Sequence, residues 1–537
     1  MIAFQNISLG TTLILFGPVP LLAFAVVPRA WANRHVHRIV ALSAGATTVS
    51  LGVAAISAVN VAFAGRTEQI IAAWGVFRVG IYFDQLSALL FLLVAFLGAV
   101  VTRYAFTYLK GDPEQGHFLK WLCITIGAVL TLLVSGNLLL FTVAWMTTSL
   151  SLNKLLTFYA DRPAAITAAR KKFVISRLGD VCLLIALVLV YQCFGTWEFG
   201  EMFARSEALR SGGMAMPDRI TSISLLLVAG AMLKSAQFPF HSWLPDTMET
   251  PTPVSALMHA GIINAGGFLV IRLSPVISLS PLALQMLVVV GAFTAIFASL
   301  VMTTQASVKR MLAFSTIAQM GFMMLQCGLG AFSIAVLHIV AHSLYKAHAF
   351  LSSGSVVEIS KASWVPTGVP AAHLRALALS LLAAAVLTFA GAAAFGVSPQ
   401  AEPGVIILGA VFLMSLAHLL WSLWGQAITP RLVGAGTVLA GTVCVAYFAL
   451  HLGFKTLLAP VLPHHGLSPS PAVAATPGTY ILMAVVVTLF AAVLVLQSQL
   501  PMWAERPWCR TLYVHARNGF YFNTLANRAV HALWPAR

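Results

Sequence analysis

Read for its apolar positions alone, the chain is a succession of hydrophobic runs separated by short polar segments. Each run holds about 20 residues, long enough to cross a bilayer core as a helix. The pattern predicts about 15 spans, near residues 8–28, 39–64, 82–105, 118–136, 137–159, 172–194, 221–245, 252–273, 283–304, 310–329, 332–358, 373–396, 403–427, 432–453 and 478–499. The alternation over segments of about 10 residues that marks a transmembrane β-barrel is absent. The predicted fold class is all-α, a polytopic membrane protein.

The pattern is interrupted at a few places, and those carry the chemistry. In "LLLVAGAMLKSAQFPFHSWLPDTMETPTPVSALMHAG", residues 225–261, Lys234 sits inside an apolar run and four prolines follow it: Pro239, Pro245, Pro251 and Pro253. Proline removes a backbone hydrogen bond from a helix. Non-helical backbone at membrane depth is tolerated where protein or a water-filled cavity satisfies it. A broken helix near Lys234 is therefore expected, with a cation at the break. Asp246 and Glu249 follow in "WLPDTMETP", placed either to cap the next helix or to form a proton's way in. Arg177 and Asp180, three residues apart in "SRLGDVCLL", share a helix face. His259 lies in the next span. In "LHIVAHSLYKAHAFL", His338, His342 and Lys346 are spaced four residues apart and form one stripe, rising about 6 Å per step; His348 points elsewhere. Ionisable side chains in hydrocarbon cost several kcal/mol and usually mark an ion path. Lysine suits such a path because its pKa moves with desolvation and with nearby carboxylates.

Composition agrees with the membrane reading: 59% of the 537 residues are hydrophobic, 9% are charged, and the mean hydropathy is +0.91. The net charge of +16 suggests nucleic acid, but its placement does not. With the N-terminus outside, the inner segments hold Arg29, Arg34, Arg38, Lys110, Lys120, Arg162, Arg170, Lys171, Lys172, Lys309, Arg310, Lys361, Arg375, Arg431 and the tail arginines. The outer segments hold Arg66, Arg78, Arg205, Arg210, Arg219, Arg272 and Lys455. This is the positive-inside asymmetry, and it predicts an N-terminus outside and a cytoplasmic C-terminus. The first span lacks a small-residue cleavage site and reads as a retained helix. The six cysteines are scattered without CxxC or Cys/His spacing, so no metal or iron–sulfur site and no cofactor is expected.

Residues 1–110 form a first block of spans, in which Asp84 is placed to cap a helix start. Residues 118 to 360 hold nearly all the intramembrane charges. The loops 195–219 and 455–477, the latter with His464 and His465, are too polar to span and are candidate contact surfaces. Residues 432–499 carry the last spans. The tail 500–537 mixes arginine with aromatic and aliphatic residues at helical spacing, as in "RPWCRTLYVHARNGFYFNTLANRAVHALW", and reads as a basic amphipathic segment lying on the membrane face or on a partner.

Residues 234–272, "SVKRMLAFSTIAQMGFM" (307–323) and "HIVAHSLYKAHAFLSSGSV" (338–356) closely resemble the antiporter-like membrane subunits of respiratory complex I, notably its L-type subunit, and the large subunit of multisubunit cation/proton antiporters. The resemblance implies two inverted five-helix repeats, over 118–275 and 283–427, each with a broken helix. It also implies a proton path in which Lys234 is the broken-helix lysine, His259 and Lys309 link the repeats, and His338, His342 and Lys346 form the second half. Arg177 and Asp180 match the family's "TRVGD" stretch. Three departures stand out. Met146 occupies the place of a family glutamate that modulates the broken-helix lysine, with Asp180 as its candidate replacement. Between Arg375 and Glu402 no residue is ionisable, where the family has an exit lysine. The L-type subunit's extra spans and long lateral helix are missing.

These departures make the chain most similar to the DabB-type subunit of bacterial inorganic-carbon accumulation systems. That resemblance implies a large DabA-type partner with a zinc site, to which CO2 hydration would belong. This chain would then be a membrane subunit of the bacterial cell inner membrane that conducts H+ or Na+ and is not itself an enzyme. The rival readings are a subunit of a complex I-type or hydrogenase-type redox complex, a stand-alone cation/proton antiporter, and a non-conducting scaffold.

Overall fold

The computed structural model describes residues 3–4, 8–212, 215–355, 374–397, 403–424, 430–462 and 477–534. Among them, 13 helices are long and apolar enough to cross a membrane. They coincide with 13 of the predicted spans. The helix Leu138–Leu156 stands where another was drawn, its apolarity diluted by Thr147, Thr148, Ser149, Ser151, Asn153 and Lys154. The remaining one, 221–245, is helical only over Ile220–Lys234 and then breaks. The loop holding His464 and His465 and the stretch holding Lys361 and Glu402 lie outside the described residues.

The helices are accompanied by one small sheet among the described residues. Strands Ala3–Phe4, Thr67–Trp74 and Phe77–Phe83 form a small antiparallel sheet. The long strands turn through Gly75 and Val76, with φ +60° at Gly75, the first turn position where a type II′ hairpin favours glycine. Neighbouring loops are sewn to this sheet. Gly136 N donates to Gly80 O (2.9 Å), and Leu138 N donates to Trp197 O (3.0 Å). A Cβ at Gly136 would lie 2.6 Å from the Gly80 carbonyl carbon, so the close approach requires glycine. Asn137 caps its helix through Leu140 N (2.8 Å) while donating to Arg78 O (2.7 Å) and Glu198 Oε1 (3.1 Å). The polar loop 195–219 thus contains an ordered helix, Phe199–Arg210, tied to the sheet by Arg78–Glu201 (3.1 Å).

Ion pairs sort the loops into two faces. Arg29 meets Glu114 (2.9 Å), Arg162 meets Glu249 (3.7 Å) and Lys171 meets Asp246, all on segments assigned to the same side. The hydrogen bond from Arg29 holds the Glu114 carboxyl below its ordinary pKa. Arg78–Glu201 and the Arg210–Ser278 hydrogen bond (2.6 Å) belong to segments on the other side.

Asp84 caps the helix Gln85–Tyr108 through Ser87 N (2.9 Å), as its position suggested. It also receives a two-pronged contact from Arg272, at 2.5 and 2.9 Å, and Arg272 donates to Ser87 Oγ (2.6 Å). Both charges are buried. Arg272 is therefore a buried ion-pair partner locking the helix Ala265–Arg272 to Gln85–Tyr108, and not the loop charge that its place at a span end implied.

The helix carrying Lys234 ends there in a defined way. Ser235 N bonds Ala231 O, Gln237 N bonds Met232 O (3.1 Å), and Ala236 between them takes φ +50°. This is the Schellman arrangement with alanine at the left-handed position where glycine is usual. The helix thus stops before Pro239 is reached. A second break follows: helices Thr252–Ala260 and Ala265–Arg272 are separated by a 3-10 turn, Ile262–Asn264. There Asn264 Nδ2 donates to Ala260 O and Ser343 Oγ, both at 2.8 Å. The two breaks join where Ser235 Oγ donates to Ile263 O (2.8 Å).

The tail folds into helices Pro507–Arg517 and Phe522–Leu533 and docks on the chain itself. Phe522 packs against Phe238 (centroids 4.7 Å) and Phe297 (6.1 Å), covering the segment between Lys234 and Asp246.

Two outcomes are expected. Asp84→Ala leaves Arg272 charged, buried and unpaired and lowers stability by about 3–5 kcal/mol, measured as accelerated thermal loss of monodisperse protein in detergent. Ala236→Gly relieves the left-handed strain and raises stability by about 1 kcal/mol, whereas Ala236→Val lowers it, in the same assay.

Candidate proton path

The first centre forms where helices Leu138–Leu156, Pro163–Phe194 and Ile220–Lys234 meet. Lys234 Nζ lies 4.4 Å from the centroid of the Trp145 ring, a cation–π contact, and has no hydrogen-bond partner among the described residues. Asp180 is the carboxylate whose charge acts on it. Arg177 Nη2 approaches Asp180 Oδ2 to 2.7 Å, as an ion pair not aligned for a hydrogen bond. The predicted Arg177, Asp180 and Lys234 are thus brought together. Met146 is half-buried and packs with apolar neighbours, contributing no charge.

Below this centre the structure adds a cluster that the sequence reading did not assemble. Lys171 is 1% exposed and contacts Asp246, Asn523 Oδ1 (2.6 Å) and Ser242 O (3.4 Å). Asn523, from the tail, also donates to Asp246 Oδ1 (3.1 Å). Of the two carboxylates with alternative roles, Asp246 therefore holds this buried lysine. Glu249 is exposed and pairs with Arg162. The helix Thr252–Ala260 has no side-chain cap. Lys171 and Lys172 read as inner-segment charges because the span was drawn from residue 172. The helix in fact begins at Pro163, which places both lysines two turns inside it. The signal available was Pro163 itself, a residue favoured at the first helical position.

The second centre lies across helices Thr252–Ala260, Val308–Gly328 and Phe332–Leu351. His259 is buried, stacks on Phe350 (4.4 Å) and bonds Thr316 Oγ1 through Nδ1 (3.1 Å). Its Nε2 has no partner. His342 Nε2 lies 3.3 Å from His259 O, and the His338 and His342 rings are 6.0 Å apart. His338 Nδ1 meets Gln326 Oε1 (2.9 Å). Lys346 is completely buried and donates to Leu312 O (3.2 Å), one acceptor among the described residues for three N–H donors. His338, His342 and Lys346 therefore form the predicted stripe, His259 joins it, and His348 is exposed away from it. Lys309 is set apart. It is half-buried in the first turn of Val308–Gly328 and donates to Thr252 Oγ1 (3.1 Å), about two turns below Thr316. Among the described residues, no three His, Cys, Asp or Glu side chains gather as a metal site.

Comparison with known proteins follows these centres closely. Residues 135–397 match the family described as NADH:quinone oxidoreductase/Mrp antiporter, and residues 75–119 match the N-terminus of complex I chain 5. A probable inorganic carbon transporter subunit DabB2 of Halothiobacillus neapolitanus is 37% identical over 98% of this chain and 95% of its own length. The NADH-quinone oxidoreductase subunit L of Mycobacterium tuberculosis is 38% identical over 52% of this chain and 43% of its own. A chain of the Mrp complex from Dietzia sp. DQ12-45-1b shares the fold, with a TM-score of 0.57 at 21% identity, over 98% of this chain and 60% of that one. With a relative matched from end to end and both centres inside the matched residues, the chain belongs to the ion-translocating, antiporter-like membrane subunits of the NADH:quinone oxidoreductase/Mrp family, in the group that includes the DabB-type subunits.

Proposed function

We propose that this chain is the proton-conducting subunit of a two-component inorganic-carbon system of the bacterial inner membrane. A large DabA-type, zinc-containing partner performs the CO2 chemistry. The partner and its process come from the similarity to DabB-type subunits. The observation that carries conduction is the series itself: Lys234 at one helix break, His259 just before the second, then His342, the half-buried His338 and Lys346, with Lys234 Nζ and His259 Nε2 unpartnered among the described residues.

The ion is a proton in this reading. Lysine and histidine carry protons, whereas Na+ needs several oxygen ligands, and the nearby carboxylates Asp180 and Asp246 are already held by Arg177 and Lys171. Protons moving inward pass along the stripe of His338, His342 and Lys346 and by way of His259 to Lys234, held against Asp180, and leave at the Lys171–Asp246 pair. Lys309, at the helix start beside Thr252, serves as a side access to the same line. The arginine- and lysine-rich face is cytoplasmic, which puts the N-terminus outside. Each charge moving down the potential releases about 2.3 kcal/mol per 100 mV, enough for one or two protons to bias hydration of CO2 towards bicarbonate.

Lys234→Ala and Lys346→Ala, each co-expressed with the partner, are expected to abolish carbon-dependent growth rescue while the two subunits still co-purify. Normal rescue by both variants would overturn the reading. Co-purification of flavin or iron–sulfur subunits would place the chain in a redox complex instead.

A further inference from the structure

Lys172 has no place in the path described so far, yet it is 3% exposed in the interior of a membrane helix. Its Nζ donates to Ser149 O (2.6 Å) and Ser149 Oγ (2.8 Å), neither of them charged. A lysine near a helix end usually bends its ammonium to the water interface; this one points inward, to the helix that carries Trp145. Trp145 and Ser149 are four residues apart on that helix and share a face. Lys234 therefore sits on Trp145 and Lys172 on Ser149, about one turn or 6 Å apart along the same surface.

The charges facing Lys172 can be named element by element. Its own helix brings Lys171, Arg177 and Asp180; Ile220–Lys234 brings Lys234; Leu138–Leu156 brings Lys154, exposed in its last turn; the segment 241–249 brings His241, Asp246 and the exposed Glu249; and the tail helix Phe522–Leu533 brings Arg528 and His531, both exposed. Lys171 and Asp246 occupy one another, and Arg177 already engages Asp180. Two buried lysines thus share one carboxylate that is committed to an arginine. Two ammonium groups so placed repel each other in a medium that screens little.

We propose that Lys172 is a second proton-holding side chain of this centre, receiving protons from Lys234 and passing them to the Lys171–Asp246 pair. The inference rests on the proton-conducting reading above. In the transfer, an N–H bond of the Lys234 ammonium breaks and the Lys172 amine lone pair takes the proton through the Ser149 hydroxyl or one water. Lys234 is left as an amine and is reloaded along the path. Nothing is oxidised or reduced. The mutual repulsion drives each proton forward, because loading Lys234 makes the proton on Lys172 the one to leave.

The test is proton flux into vesicles holding this chain with its co-purified partner, read by an internal pH dye at an imposed potential across a range of pH. Lys172→Met is expected to reduce flux about a hundredfold, the low end of what a positioned proton-transfer group contributes. Lys172→Arg keeps the charge and the bonds to Ser149 but does not release its proton, and it is expected to lose flux equally. Lys172→His restores a titratable group and is expected to conduct with its pH profile moved to lower pH, since imidazole loads a proton at lower pH than an amine. Full flux with an unchanged pH profile in Lys172→Arg would reduce Lys172 to a charged anchor and overturn the proposal, and so would full flux in Lys172→Met. Lys234→Ala run alongside separates the two readings. If it conducts normally, the conducting function falls. If it is dead while all three Lys172 variants conduct normally, only the role of Lys172 falls.

Discussion

Hydrocarbon offers no hydrogen bonds, so every helix end left inside the membrane must be satisfied by the protein. This chain has two such ends in succession, at Lys234 and at Ala260, and much of its polar interior serves them. The first is closed by its own backbone, with Ala236 held left-handed to let Gln237 N reach Met232 O. The second is closed by Asn264, whose amide is in turn held by Ser343. Ser235 Oγ ties the two together. Once that backbone is open and satisfied, polar side chains can be kept beside it, and Lys234 and His259 stand within a residue of the two interruptions.

Charge balance then shapes the neighbourhood. A buried charge is tolerated when paired, and the structure has two kinds of buried cation. Arg272 is fully committed, with both carboxylate oxygens of Asp84 and a serine hydroxyl, and acts as a rivet between helices. Among the described residues, Lys234 has an aromatic face, Lys172 a serine, and Lys346 a single carbonyl and the Tyr345 ring. The difference in partners separates structural charge from charge free to change. Lys171 is intermediate: it is paired with Asp246, but through a site completed by Asn523 of the tail.

Much of this was legible beforehand. Helix number and position followed from runs of apolar residues, because a bilayer imposes a fixed length on each span. The stripe of His338, His342 and Lys346 followed from helical spacing. Its connection to His259 did not, because it depends on how separate helices pack. The small sheet was hidden because "TEQIIAAWGVFRVGIYF" lies mostly between two spans, where it reads as a connecting segment, and lacks clean alternation. Lys172 was hidden by a span boundary drawn nine residues short, since a charge next to an apolar run reads as its edge.

The sequence by itself determined that the chain crosses a membrane many times, that Lys234, His259, His338, His342 and Lys346 fall inside apolar runs, and where the long Lys234 span must stop being helical. These properties are set locally, by apolar length, side-chain ionisation and turn chemistry. Only the tertiary structure decided which of those residues act together. It set Trp145 beneath Lys234, Ser149 beneath Lys172, Arg272 on Asp84 and the tail's Asn523 on the Lys171–Asp246 pair, joining positions up to 352 residues apart. The physical reason is that a charge inside a membrane is defined by its partners, and partners are a property of packing that spacing along one helix does not contain.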